Sequence, residues 1–86
     1  MHGTTEYVQA MVRPLMTDAG YRGIEDAVSD SELRITVFVT TSRAKSVVIG
    51  RGGENIHAIQ HLARERQSRD DPRLKVRIDV ILAGSE

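Results

Sequence analysis

The stretch VVIGRGGENI, residues 47–56, contains three glycines. Their type and spacing are those of a loop that could bind a ligand. Glycine lacks a Cβ, so a phosphate group can approach its main chain closely, and the amides that open a following helix attract phosphate oxygens. A tight turn between two helices is the alternative, but such a turn needs one glycine rather than three. The spacing therefore favours an anion-binding loop at residues 50–53, which we call the glycine loop.

Three glycine-rich motifs could account for the glycine loop. A dinucleotide-binding fingerprint needs a third glycine where this chain has Asn55, and it needs a strand directly before the loop. A P-loop needs Lys and then Ser or Thr after its last glycine, where this chain has Glu54 and Asn55. The third motif, two helices joined by G-x-x-G, fits. Its predicted binding residues are Gly50, Arg51, Gly52 and Gly53 in the loop, Val48, Ile49 and Ile56 on its apolar flanks, and Arg43 and Lys45 as nearby cations.

His57 and His61, four residues apart on one predicted helix, imitate a zinc-binding pair. The corresponding zinc motif has a glutamate general base where this chain has Ala58, and catalytic zinc requires a third ligand that the sequence does not offer. The chain has no cysteine, which excludes disulfides and thiolate metal sites. No nucleophile–base pair or carboxylate pair has a catalytic spacing. We therefore expect a protein that is not an enzyme and holds neither a metal nor a cofactor.

Charge is distributed unevenly along the chain, although its formal net charge is zero. Residues 1–42 carry a net charge of −3 and residues 43–86 a net charge of +3. Nine cations lie in the glycine loop or on either side of it along the chain: Arg43, Lys45, Arg51, Arg64, Arg66, Arg69, Arg73, Lys75 and Arg77. Such a separation lets one face attract a polyanion while the whole molecule remains neutral. The sequence begins with no signal-peptide pattern, and its apolar runs are too short to cross a bilayer.

Apolar periodicity predicts the elements that must position the loop. Helices are expected at about residues 4–20, with Gly20 at the end, and at 42–49 and 54–67; strands are expected at 24–28, 33–40 and 74–82. Thr4 or Thr5 can cap the first helix, and Thr41 or Ser42 can cap the second. Pro14 should kink or split the first helix, because proline removes a hydrogen bond and clashes with the preceding turn.

The predicted core combines one face of each element. It comprises Leu33, Ile35, Val37 and Val39 of the second strand, alternate residues of the third strand from Leu74 to Leu82, and Ile56, Ile59, Leu62 and Ala63 of the last helix. The first two strands should form a hairpin, and the helical pair before the third strand allows it to run parallel to the second. The sequence thus predicts an α+β fold, a two-layer sandwich with a three-stranded mixed sheet, in a single domain over residues 1–86.

The stretch VVIGRGGENIHAI, residues 47–59, matches the pattern V-I-G-x-x-G-x-x-I of the KH domain at each fixed position. The order helix, strand, strand, helix, G-x-x-G, helix, strand resembles the type II KH fold, and the size is similar to that of the small bacterial single-KH RNA-binding proteins of the KhpA type. This resemblance implies a non-catalytic cytoplasmic protein that clamps about four nucleotides of single-stranded RNA. It further implies an RNA chaperone or post-transcriptional regulator that dimerises with itself or with a larger KH-containing partner.

Two features of the sequence predict a modest affinity for RNA. Glu54 follows the loop directly and lies near the expected phosphate path, and the net charge is zero. The chain has three aromatic residues, Tyr7, Tyr21 and Phe38, which are too few for an RNA-binding sheet that stacks bases on aromatic rings. A KH groove, by contrast, holds bases on aliphatic side chains. The alternative function is a KH-fold interaction or dimerisation module with weak or vestigial affinity for nucleic acid.

Overall fold

The computed structural model describes residues 2–17 and 19–83, and its elements follow the predicted order. They are helix α1 (Gly3–Val12), a 3₁₀ turn (Arg13–Leu15), strand β1 (Tyr21–Val28), strand β2 (Glu32–Val39), helix α2 (Ser42–Ile49), a second 3₁₀ turn (Arg51–Gly53), helix α3 (Glu54–Asp70) and strand β3 (Lys75–Leu82). Among the helices of these described residues, none has the length and apolarity that crossing a membrane requires.

The three strands form one mixed sheet in the order β1-β2-β3. β1 and β2 pair antiparallel as a hairpin, and the main-chain N–H of Ser29 donates to the Glu32 carbonyl at 2.9 Å to close its turn. β2 and β3 pair in parallel, because the helical segment between them carries the chain back to the other end of the sheet. These pairings confirm the predicted α+β class and the mixed sheet.

The core lies between the helices and one face of the sheet. β2 is the central strand, and its four alternating apolar residues, Leu33, Ile35, Val37 and Val39, are fully buried. The other elements add Val8, Val12, Ile24, Ala44, Val48, Ile59, Ala63, Leu74, Val76 and Ile78. The opposite face of the sheet carries the intervening side chains, most of them polar, as the alternation predicts.

The prediction for the core face of α3 was wrong at one position. Leu62 is 39% exposed, and the buried residue of the following turn is the polar Gln67. Gln67 is buried because the start of α1 packs on this part of α3, where the hydroxyl of Thr4 donates to Gln67 Oε1 at 2.6 Å. The helix consequently continues to Asp70, three residues beyond the predicted end.

The ends of α1 also differ from the prediction. Thr4 and Thr5 do not cap the helix: both lie inside it and are fully buried, and the N-cap is His2, without a side-chain cap. Pro14 splits the helix, since the chain continues beyond Val12 as a 3₁₀ turn. Gly20 therefore does not end a helix but donates its N–H to the Thr17 carbonyl in the following turn.

The strands agree with the prediction except at their ends. β1 begins three residues earlier than expected, because Tyr21 already pairs with Val39 at the end of β2. The placement of Leu82 in the core from its alternation was wrong: it is 41% exposed at the end of β3, which is an edge strand of the sheet.

Candidate nucleic-acid interface

The glycine loop joins two helices, α2 and α3, whose buried faces pack on the sheet. Thr41 caps α2 by accepting a hydrogen bond from the main-chain N–H of Ala44 at 3.0 Å, as one of the two predicted caps. Ala44 and Val48 are the buried residues of α2. Gly50 ends the helix with a φ of 80°, a conformation that other residues rarely adopt.

Gly50 is required by the structure of the loop itself. A Cβ at this position would lie 2.7 Å from the main-chain nitrogen of Asn55 and 2.8 Å from its Cγ. Asn55 occupies this space because its side-chain amide donates to the carbonyl of Val47 at 2.8 Å. The packing of Asn55 therefore explains why residue 50 is a glycine, without reference to a bound ligand.

Gly52 and Gly53 have different surroundings, although both have positive φ values, of 64° and 82°. A Cβ on Gly53 would lie 3.3 Å from Cδ2 of His57. A Cβ on Gly52 would meet no heavy atom within 4 Å in the described part of the chain. Gly52 and the adjacent exposed Arg51 thus form the part of the loop that an incoming ligand can approach.

The electrostatics at the loop combine attraction and repulsion. α3 begins directly after the loop, so the positive end of its dipole faces the ligand side. The exposed guanidinium of Arg51 adds a mobile cation, and the exposed Glu54 in the first turn of α3 adds a negative charge beside it. An anion would therefore meet one favourable side chain and one unfavourable one.

The apolar residues flanking the loop are buried to different extents. Val48 is fully buried in the core, and Ile49 and Ile56 are half-buried. Val47 on α2 is 37% exposed. The predicted flanks thus divide into one core residue and two aliphatic side chains that remain partly accessible to a ligand.

The nine cations that the sequence placed around the loop fall into two groups. Arg73 lies 3.0 Å from Asp71, Arg77 lies 3.5 Å from Asp79, and the guanidinium of Arg66 lies 5.4 Å from the ring centroid of Tyr7. In the described ranges the other six have no ion-pair or aromatic partner: Arg43, Lys45, Arg51, Arg64, Arg69 and Lys75. The charges of these six are not neutralised by a neighbouring side chain among the described residues.

Asp71 and Arg73 are strongly coupled. The side-chain hydrogen bonds from Arg73, followed by the one from its main-chain N–H, hold the pKa of the Asp71 carboxyl below its usual range. The same side-chain contact raises the pKa of Arg73. Because the pair is exposed, it contributes little to the stability of the fold. It does, however, engage the guanidinium of Arg73 with a carboxylate.

The two histidines of α3, His57 and His61, belong to no candidate metal site among the described residues. Within residues 2–17 and 19–83 there is no group of three His, Cys, Asp or Glu side chains that could hold a metal ion. His57 packs beside Gly53, and Nε2 of His61 lies 3.5 Å from Oε2 of Glu65. The sequence analysis did not identify Asn55 and His57 as neighbours of the loop glycines. For Asn55, the one available signal was an amide side chain two residues after the last glycine of the loop.

Comparison with known proteins identifies relatives of this architecture. A family model described as "KH domain" matches residues 10–81. Two solved structures of Era are similar, each at 18% sequence identity and over 92% of this chain. One is Era in complex with MgGDPNP and nucleotides 1506–1542 of 16S ribosomal RNA, with a TM-score of 0.56; the other is a substituted Era of Aquifex aeolicus bound to GDP and AlF4−, with a TM-score of 0.55.

The likeness to Era is one of fold alone at this level of identity. The chain spans 30% and 31% of the length of the two Era chains. A comparison with curated proteins found no match.

Proposed function

This chain belongs to the KH domain family, and on that premise we propose that it binds single-stranded RNA by clamping the sugar-phosphate backbone against the glycine loop. The observation that carries the proposal is Gly52, which has a positive φ and open space where its Cβ would be, beside the exposed Arg51. Packing against Asn55 closes the loop at Gly50, whereas a Cβ on Gly52 would meet no heavy atom within 4 Å in the described part of the chain, so the loop is open to a ligand at this position. RNA is the polyanion we propose because the family is an RNA-binding one and because the similar Era structure was solved with 16S ribosomal RNA.

The binding chemistry follows from the loop. Phosphate oxygens approach Gly52 without steric hindrance, the dipole of α3 attracts them, and Arg51 supplies a cation. Lys45 and Arg43 on α2, which have no ion-pair partner among the described residues, are further cations for neighbouring phosphates. Glu54 opposes them, so we expect a weak complex, with a dissociation constant on the order of micromolar or above.

The bases are expected to rest on aliphatic side chains. Tyr7 and Tyr21 each lie beneath an arginine, with Arg66 and Arg13 at 5.4 Å and 5.1 Å from the ring centroids. Phe38 alternates with the buried residues of β2 and therefore lies on the sheet face away from the helices. The half-buried Ile49 and Ile56 are the apolar surfaces next to the loop.

In this proposal the protein binds RNA without catalysing a reaction. Its cellular role would be that of a cytoplasmic RNA chaperone or post-transcriptional regulator. It would act as a homodimer or with a larger KH-containing partner. These roles rest on the likeness to the single-KH proteins of the KhpA type.

Fluorescence anisotropy with a labelled pool of single-stranded RNA, at low and at moderate salt, tests the proposed function. Binding should weaken as salt rises, with log K falling by about 0.7 per neutralised phosphate for each unit of log salt. A folded protein that binds no single-stranded pool at low salt would contradict RNA binding. The KH fold would then serve as an interaction or dimerisation module.

A further inference from the structure

We propose that His57 is a second cation of the glycine loop, so that the affinity of this protein for RNA rises as the pH falls. The inference rests on the proposed RNA-binding function and adds a pH-dependent residue to it. His57 lies in the first turns of α3, and its side chain is exposed. Histidine is the side chain that ordinarily changes its charge between about pH 5 and pH 8, so a histidine beside a phosphate site links binding to pH.

The imidazole of His57 lies directly beside the loop. A Cβ on Gly53 would lie 3.3 Å from Cδ2 and 3.5 Å from Nε2 of the ring. The ring edge that carries Nε2 is therefore the edge nearest to Gly53, and a protonated imidazole donates hydrogen bonds from both of its nitrogens. Gly53 directly follows Gly52, where the loop is open to a ligand. A phosphate held at these two glycines is thus a neighbour of the imidazole edge.

No carboxylate neutralises this imidazole. In the described part of the chain His57 forms no ion pair, whereas Nε2 of His61 lies 3.5 Å from Oε2 of Glu65. Protonation of His61 would therefore add a charge that Glu65 already compensates. Protonation of His57 adds an uncompensated charge at the loop.

The other charged groups around His57 determine the sign of the effect. Arg51 lies in the loop itself, and Glu54 comes three residues before His57 on α3. None of the acids on the elements packed against α3 forms an ion pair with His57. The charged or titratable side chains that these elements carry are Arg43 and Lys45 on α2, Glu6 and Tyr7 on α1, Arg13 in the turn that follows it, and Lys75, Arg77 and Asp79 on β3.

The balance of charge at the loop consequently changes with pH. A neutral imidazole leaves one cation, Arg51, against one acid, Glu54. A protonated imidazole gives two cations against the same acid, while the phosphodiester groups of RNA stay ionised. Hydrogen bonds between charged groups are stronger than neutral ones, so binding should tighten as His57 takes up a proton. By reciprocity, RNA binding should draw that proton from the solvent.

Anisotropy at about pH 5.5 and about pH 8, which bracket the ordinary titration of histidine, tests the proposal. The probe is the labelled pool of single-stranded RNA, with a dye whose emission does not change over this range. The variant is His57→Gln. The matched control is His61→Gln, which removes the same side chain from an exposed position one turn further from the loop. His57→Lys supplies a permanent cation, and circular dichroism at each pH establishes that every variant is folded.

We expect the wild type to bind RNA on the order of tenfold more tightly at the lower pH. Its salt dependence should be steeper there by about 0.7, the value for one phosphate. His57→Gln should lose both differences and bind at the higher pH like the wild type. His61→Gln should keep both differences, and His57→Lys should bind tightly at either pH.

Three results would overturn the assignment while leaving the clamp in place. One is a wild type that binds RNA with the same affinity at both pH values. The second is a His57→Gln variant that keeps the pH effect. The third is an equal loss of the pH effect in His61→Gln, which would point to overall charge instead of a contact at the loop. A folded wild type that binds no RNA at either pH would contradict the proposed function as well.

Discussion

The side-chain amide of Asn55 donates a hydrogen bond to the main-chain carbonyl of Val47 at 2.8 Å, across the glycine loop. Val47 belongs to the last turn of α2, where main-chain carbonyls run out of N–H donors further along the helix. One side chain from α3 thus satisfies the end of α2 and lies over Gly50. The contact joins the two helices directly across the loop.

Gly50 and Gly52 should respond very differently to alanine. Gly50→Ala places a Cβ 2.7 Å from the main-chain nitrogen of Asn55 and should cost about 2–4 kcal/mol of unfolding free energy, from overpacking together with an unfavourable φ. Gly52→Ala meets no neighbouring atom and should cost about 1–2 kcal/mol, from φ alone. Urea denaturation measures both values. Equal costs would mean that the Asn55 contact does not shape the loop.

Arg51→Asp combined with Gly52→Asp should abolish RNA binding and leave the fold intact. The change places two negative charges and a Cβ where phosphates approach, and it removes the cation of the loop. Each altered contact should be worth about 1–3 kcal/mol. Both positions are exposed, so circular dichroism should show a folded protein. Arg69→Glu, at an exposed and unpaired cation away from the loop, serves as the control and should retain binding. A folded double variant that binds RNA like the wild type would show that the glycine loop is only a turn between helices and does not bind RNA.

Glu54→Lys should tighten RNA binding, because it removes the negative charge beside the loop and adds a positive one. The substitution should cost about 0.3–1 kcal/mol of stability, since it opposes the dipole of α3. Glu6→Lys is a matched control: Glu6 is the exposed acid in the first turn of α1, so it carries a similar dipole penalty far from the loop. Anisotropy should show tighter binding for Glu54→Lys alone. Equal gains in both variants would point to overall charge instead of the loop.

Asp26 should make the stability of the fold sensitive to acid. The hydroxyl of Thr5 donates to Asp26 Oδ2 at 2.6 Å, and the main-chain N–H of His2 donates to the same oxygen at 2.9 Å. These hydrogen bonds, with that of Thr5 as the larger cause, hold the pKa of the Asp26 carboxyl below its usual value of 3.8. The ionised form is favoured in the folded state, so its contribution is present above the usual pKa and is lost as pH falls through the lowered one.

Asp26→Asn tests this linkage. At neutral pH the variant should be less stable than the wild type by about 1–3 kcal/mol, as for hydrogen bonds to a charged group. The difference should disappear as the pH falls below the usual carboxyl range. Asp30→Asn, in the exposed hairpin turn, should change stability little at any pH. Urea midpoints across pH give the comparison, and a pH-independent deficit for Asp26→Asn would contradict the assignment.

Zinc should leave the melting temperature unchanged. His57 and His61 have no third metal ligand among the described residues, and two imidazoles alone bind zinc too weakly to stabilise the folded state appreciably. Thermal melts with excess zinc and then with a chelator measure the effect. A large stabilisation that the chelator reverses would show that the histidine pair binds metal.

The sequence alone determined the features that depend on local spacing. The alternation of Leu33, Ile35 and Val37 specifies a half-buried strand, because successive side chains of a strand point to opposite faces. The cap at Thr41 and the glycines at residues 50–53 delimit α2 and α3, because these residues act on the main chain within one turn. The pattern of apolar and glycine residues was therefore sufficient for the element order, the mixed sheet and the loop.

Only the tertiary structure decided which residues of that pattern face a ligand. Thr4 lies inside a helix instead of capping it, because Gln67, sixty-three positions away in the chain, accepts its hydrogen bond. A Cβ on Gly50 would collide with Asn55, whereas a Cβ on Gly52 would enter open space in the described part of the chain. Arg73 has the carboxylate of Asp71 beside it, whereas Arg64 has no carboxylate partner among the described residues. Periodicity describes the direction of a side chain within its own element, whereas burial, pairing and open space depend on the neighbours that other elements bring to it.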